Sequence, residues 1–409
     1  MRGISAALLA LTLAVLACAL PTPAAPTAAP VDMGTSVALT FQALTGVPAP
    51  ATDLPPATVA APPTASDGDL LPRALYYLAD DEALVTQVYR LGADGKTLTQ
   101  ITREPILVND YDVSALTGQV VYVSGNKLLL INGDGSGRRV LVDGGPAVTD
   151  SYAQTNLGTP RWSPDGTKIA FARGGLNFYD LASGGIDTPL VDQVSNPGFI
   201  ILNEGYAPQA YSPDGSKLLV RVGYYEGGSL GIYVPSSRSF YKFNHPSGGI
   251  VCCVASWSSD SQFVYVASPA LGMIDSGLWR FDAATGSGAT LIGNPSSGAG
   301  PYVFADAPYL APDGQLYFFY ATYPDLPTGH TRLKMVRSAP DGATGRVELS
   351  AETMDSFNEA LWSPDARSVV LAVATAEEIY QGGELRLYFV DGGPWYGLVS
   401  FASNLKWGP

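Results

Sequence analysis

The chain has 409 residues, is 46% hydrophobic and only 15% charged, and carries 45 glycines, 32 prolines and a formal net charge of -14 at pH 7. A chain so rich in turn formers, without long Glu/Lys/Ala/Leu runs at helical spacing, reads as all-β and not helical. Its acidity excludes a nucleic-acid binder, because holding a phosphate backbone needs clustered Lys and Arg.

The first residues, MRGISAALLALTLAVLAC, place one basic residue, Arg2, before an apolar stretch from Ile4 to Ala17. That stretch is too short to cross a bilayer as an ordinary helix and reads as an export signal. Its end, Val15-Leu16-Ala17-Cys18, resembles the lipobox of bacterial lipoproteins, which implies that Cys18 becomes the lipid-modified first residue of a membrane-anchored chain in the cell envelope, outside the cytoplasm. Residues 19–69 are mostly Pro, Ala and Thr. Such a segment buries too little apolar surface to offset its ordering entropy, so a disordered or polyproline-like stalk is expected there.

Beyond the stalk, over residues 70–409, one stretch recurs. PRWSPDGTKIAFAR at Pro160 returns as PQAYSPDGSKLLVRV at Pro208, VASWSSDSQFVYVAS at Val254, DAPYLAPDGQLYFFYA at Asp306 and EALWSPDARSVVLAVA at Glu359. Aligning Val113, Trp162, Tyr211, Trp257, Tyr309, Trp362 and Trp407 gives spacings of 49, 49, 46, 52, 53 and 45 residues, a period of propeller blades. Each copy carries a second alternating run and turn, so each supplies four strands, which is one blade. In the repeated turn, Pro presets φ, Asp accepts hydrogen bonds from nearby amides and Gly takes the left-handed position. Asp165, Asp214, Asp313 and Asp365 are therefore read as turn formers, and the aromatic residue before each turn as packing between blades.

The last residues, NLKWGP, match a first strand with no second, whereas RALYYLAD near the start of the folded part matches a second strand with no first. Joined, they complete one blade, and seven four-stranded antiparallel blades are expected: six continuous, and one closed by a C-terminal innermost strand beside N-terminal strands. Closure removes open sheet edges, so a monomer is expected. In the aromatic-Ser-Pro-Asp-Gly turns and the apolar strands after them, the chain resembles the TolB-like family of WD-repeat-related β-propellers. The resemblance implies architecture, not activity, since propellers host many functions.

Because strands alternate in direction, the long irregular connections of this chain all emerge on one face and the Asp-Gly turns on the other. Binding is expected on the long-loop face. Its candidate contacts are Tyr152, Phe199, Tyr206, Tyr224, Tyr225, Glu226, Tyr302, Asp306, Tyr323 and Tyr380, with further carboxylates at Asp150, Glu204, Asp275, Asp325, Glu377 and Glu378. Aromatic faces suit sugars or peptide side chains, and carboxylates suit cationic groups or calcium, the one metal considered; no other cofactor is expected.

Enzyme signatures are thin. Gly227-Gly228-Ser229-Leu230-Gly231 fits Gly-x-Ser-x-Gly but falls inside an expected hairpin, not a strand-turn-helix. The two histidines, His245 and His330, are too few for a multi-histidine metal centre and read as surface or loop residues. Cys252 and Cys253 are adjacent; they read as two small buried thiols, with a strained vicinal disulfide as the alternative. The first functional expectation is a tethered binding or scaffold propeller recognising a protein, peptide or glycan. The alternatives are a hydrolase or lyase acting on an extracellular polymer at the same face, and a structural subunit of an envelope complex.

Overall fold

The repeated turn sets the local geometry. At Ser163-Pro164-Asp165-Gly166, the Gly166 amide donates to the Ser163 carbonyl at 2.8 Å and the Ser163 amide to the Lys168 carbonyl at 2.9 Å. Asp165 accepts from the Ser163 hydroxyl at 2.6 Å and the Thr167 amide at 3.0 Å, while Gly166 sits at φ 68°. The turns at Asp214, Asp260 and Asp365 repeat these contacts, although Ser261 and Ala366 replace the glycine and adopt φ of 60° and 56°. The local hydrogen bonds therefore hold the turn even where Gly has been lost.

Burial opposes ionisation at Asp214, but hydrogen bonds from Ser212, Ser216 and Ser261 outweigh it and hold the carboxyl at about 2. A depressed folded-state pKa contributes stability above the unfolded value, and that contribution is lost as pH falls through the folded one. Asp214→Ala is expected to lower stability by about 1 kcal/mol at pH 7, a figure discounted for solvent screening. In urea titrations the deficit should shrink between about pH 4 and pH 2 and be gone below that; a constant deficit would contradict the assignment.

The structure, a computed structural model, describes residues 68–147, 155–195, 201–246, 254–271, 275–294, 300–327, 331–351, 353–376 and 381–409. All lie in the second of two compact units, Pro62–Pro409. The described residues form 28 strands and no helix, hence no helix long and apolar enough to cross a membrane.

The strands β1 (Leu75–Asp80), β2 (Thr86–Leu91) and β3 (Leu98–Gln100) come first. Two four-stranded sheets follow: β4 (Val108–Val113), β5 (Val120–Ser124), β6 (Lys127–Ile131) and β7 (Arg139–Asp143), then β8 (Gly158–Trp162), β9 (Lys168–Ala172), β10 (Gly175–Asp180) and β11 (Ile186–Val191). A five-stranded sheet combines β12 (Gln193–Ser195) with β13 (Ile201–Tyr211), β14 (Leu218–Gly223), β15 (Gly228–Val234) and β16 (Ser239–Lys242). Next come β17 (Val254–Trp257), β18 (Phe263–Ser268), β19 (Gly277–Asp282) and β20 (Gly288–Gly293), and then β21 (Tyr302–Leu310), β22 (Leu316–Tyr323), β23 (Lys334–Ser338) and β24 (Val347–Glu348), again four strands each. The last strands, β25 (Phe357–Trp362), β26 (Ser368–Val373), β27 (Gly383–Phe389) and β28 (Tyr396–Trp407), run on into β1, β2 and β3 as one seven-stranded sheet. Within it β28 pairs along its first half with β27, up to Gly383↔Ala402, and along its second half with β1, at Leu78↔Ser403, Tyr76↔Lys406 and Leu75↔Trp407.

Packing explains why the second strands are apolar throughout. On β5, Val120 and Tyr122 belong to a core shared with β1 and β2, whereas Val121 and Val123 belong to another shared with β8 and β9. Successive side chains of a strand point to opposite faces, so a sheet covered on both sides loses the polar alternation of a half-exposed strand. Seven such cores occur among the described residues, each drawing mainly on two neighbouring sets of strands. One of them joins Leu75 and Tyr77 near the start to Val370, Leu385 and Ala402 near the end.

Two expectations change. Tyr309 does not occupy the register of Trp162: Leu310 precedes the turn there, pairing with Leu316, and Tyr309 sends its hydroxyl to the Pro364 carbonyl at 2.9 Å. Of the surface-or-loop reading of His245 the loop holds and the surface does not: it follows β16, outside any strand, yet is buried, packed at 4.9 Å from Trp279, and burial pushes its imidazole below the usual range.

Candidate functional site

Antiparallel order puts the β5–β6, β14–β15, β18–β19 and β22–β23 connections on the same edge of the sheets as the links between successive sheets. Several expected contact residues are on that edge, but in strands instead of loops. Tyr206 is in β13, Tyr302 and Asp306 are in β21 and Tyr323 ends β22, whereas Tyr224, Tyr225 and Glu226 lie in the β14–β15 connection. Tyr152, Phe199 and Tyr380 are outside the described residues, as are Cys18, Cys252, Cys253, His330, Asp150, Glu377 and Glu378.

The remaining residues fall into two groups. In the first, β12 pairs with the start of β13, which brings Gln193 opposite Glu204. The Tyr206 hydroxyl donates to Glu204 Oε2 at 2.7 Å, Lys242 ion-pairs with the other carboxylate oxygen, and its ammonium lies 5.8 Å from the Tyr224 ring centre. Glu204 is thus already matched by a cation and a phenol. Below it, burial pushes Asp192 up to about 6 even though it accepts the Tyr206 amide at 2.9 Å.

The second group is built by the β21–β22 hairpin, where Tyr302 pairs with Tyr323 and Asp306 with Phe319. Tyr323 stands edge-on to Phe304, with ring centres 5.9 Å apart. Between Asp306 and Tyr309 the register shifts, and Ala307 takes φ 46°. This bulge re-aims the strand and turns the Ala307 amide onto Asp306 Oδ1, at 2.7 Å. Asp306 is only 6% exposed and lines a cavity of about 330 Å³ walled by Leu271, Phe304, Leu326, Leu333 and Phe357. Burial pushes its carboxyl up to about 7 against the lowering effect of that single amide bond. A carboxyl so held accepts or releases a proton near neutrality and gives a ligand one polar anchor in an apolar recess.

Larger clefts open among the Asp-Gly turns. One, of about 1040 Å³, lies between Arg73, Asp313, Arg337, Asp365, Arg367 and Asp391. It is a groove of mixed sign, with Arg367 already 3.6 Å from Asp365, and its size reflects spacing between neighbouring turns. The Asp306 cavity is smaller but holds the group with the altered chemistry.

Sequence reasoning missed a polar network on the first strands. Arg161 sits 3.2 Å from Asp110 and donates to the Gln209 carbonyl, Lys406 lies 3.3 Å from Asp112, and Asn404 donates to Asp110 at 2.7 Å. Charged residues inside short strands such as VNDYDV and FNEALW were the available signal. Among the described residues, no three His, Cys, Asp or Glu side chains gather as a metal site.

No protein-family model and no curated protein matches the chain. Solved structures do. TolB from Acinetobacter baumannii shares 14% identity over 85% of this chain and 87% of its own, at a TM-score of 0.42. That is a likeness in fold, and in fold alone. A puromycin hydrolase matches at 13% identity over 82% of this chain and 53% of its own, with a TM-score of 0.52. A prolyl endopeptidase matches at 11% over 82% and 48%, with a TM-score of 0.51, so the chain spans about half the length of both hydrolases. At such identities these likenesses concern the fold alone.

Proposed function

We propose that this chain is a binding or scaffold propeller, tethered by lipid at Cys18 and held outside the cytoplasm by the segment at 19–69, that recognises a protein, peptide or glycan on its long-connection face. In this reading 70–409 form seven blades closed into a ring. Support for closure comes from β28, shared between β27 and β1, and from the core that joins the two ends. Side chains add to it: Trp407 Nε1 donates to the Trp362 carbonyl and the Tyr111 hydroxyl to the Asn404 carbonyl, each at 2.7 Å. An export signal and lipobox-like end support the location.

The observation that carries the binding role is the gathering of Tyr302, Asp306 and Tyr323 on one hairpin beside a cavity at that face. Full-length protein applied to peptide and glycan arrays is expected to bind a discrete subset. The Tyr302→Ala/Tyr323→Ala double variant should weaken that binding at least tenfold, whereas Arg367→Ala on the opposite edge should leave it unchanged. Uniform absence of binding, with hydrolysis or elimination of a polymer that Asp306→Asn abolishes, would favour the enzymatic alternative, which draws its support from a carboxyl titrating near neutrality.

A further inference from the structure

We propose that the recess above Asp306 is a subsite for a single alkylammonium or guanidinium group, as carried by a lysine or arginine side chain of a protein or peptide ligand. The inference rests on the long-connection face being the recognition face and adds the chemistry of what enters it.

Three observations converge. First, Asp306 is 94% buried by its 6% exposure, and one oxygen is taken by its own neighbour's amide, Ala307 at 2.7 Å, while no donor among the described residues reaches Oδ2. Among the described residues the fully buried side-chain polar atoms without a partner are Thr159 Oγ1 and Trp162 Nε1, so Oδ2 of Asp306 is open to the recess, where a ligand's donor can take the place of water. Second, the described lining contains no Lys, Arg or His; its other polar side chain, Thr331, already donates to the Pro269 carbonyl at 3.1 Å. Among the described residues no cation answers Asp306, whereas Lys242 answers Glu204. Third, the walls are apolar and partly aromatic, with Phe304 and Leu333 each 1% exposed and Phe357 beside them. Such walls suit an alkyl stem, and ring faces attract a cation. At about 330 Å³ the recess is near the lower bound of small-ligand pockets, roughly 300–1,000 Å³, which fits one side chain and not a polymer backbone. The net charge of -14 draws cationic ligands toward the molecule.

The test compares n-butylammonium, butan-1-ol and butyrate on the full-length protein by NMR chemical-shift titration. Butylammonium is expected to bind at least tenfold more tightly than butan-1-ol, with butyrate weakest. Asp306→Asn, nearly isosteric, should erase the preference for the ammonium while leaving weak binding of the alcohol. Equal affinity for ammonium and alcohol on the unaltered protein would overturn the proposal whatever the variant does, as would an undiminished preference in a folded Asp306→Asn. If array ligands still bind while the ammonium shows no preference, the cation subsite fails and recognition by the face stands.

Discussion

Replacing Trp362 by alanine is expected to lower the unfolding free energy by about 4 kcal/mol, read from chemical denaturation. The side chain is 6% exposed, packs 5.5 Å from Phe319 and 5.7 Å from Tyr317 between ring centres, and donates through Nε1 to the Ala307 carbonyl at 2.8 Å. Its removal empties a core shared between two sheets and leaves a buried carbonyl unpaired. Trp362→Phe isolates the second loss and should cost about 1–3 kcal/mol. The equivalent residue of another repeat gives the control. Trp162 is 7% exposed, but its Nε1 is buried with no acceptor, so Trp162→Phe is expected to cost less than about 1 kcal/mol or to stabilise. Equal costs at the two positions would show that the indole hydrogen bond contributes nothing.

Glu359→Ala is expected to cost about 3 kcal/mol, because a half-buried carboxylate accepts two backbone amides of β28, Asn404 at 2.8 Å and Leu405 at 3.0 Å. These bonds fasten the last strand to β25 just where β28 passes from one partner to the other. Glu359→Gln keeps one good acceptor and should recover roughly half of the loss. Hydrogen exchange supplies the local readout: protection of the Asn404 and Leu405 amides should fall at least tenfold in Glu359→Ala, with the β5 amides far less affected. Unchanged protection would mean that the β1 pairing alone holds the strand, and the proposed role of Glu359 in closure would be abandoned.

Much of the architecture was legible because it is written in local chemistry. Ser163-Pro164-Asp165-Gly166 specifies its own turn through contacts within six residues, so each copy can be read without knowing its surroundings. The expected adjacency of the two ends of the 70–409 region is seen in the pairing of Leu75 with Trp407. Other features were not legible. β12 arises in a segment expected to be irregular, since three residues gain a strand only by finding the edge of β13. The displacement of Tyr309, by contrast, was legible: Leu310 stands three residues before Asp313, as Trp162 does before Asp165, and a register shift like the one after Asp306 recurs in β4, β8, β13 and β25.

The same division governs the site. Asp306, Tyr302 and Tyr323 could be named from the sequence as contact candidates on a common face, because strand alternation follows from hairpin count. Their separation from Tyr206, Glu204 and Lys242, the burial of Asp306 and the wall supplied by Leu271 and Phe357 could not. The sequence by itself determined the repeat, the turn chemistry and the all-β class, since these depend on neighbours a few residues apart. Only the tertiary structure decided which carboxylates are matched by cations and which is left facing an apolar recess. That outcome depends on side chains brought together from three different sheets, and no pattern along one strand encodes the distance between them.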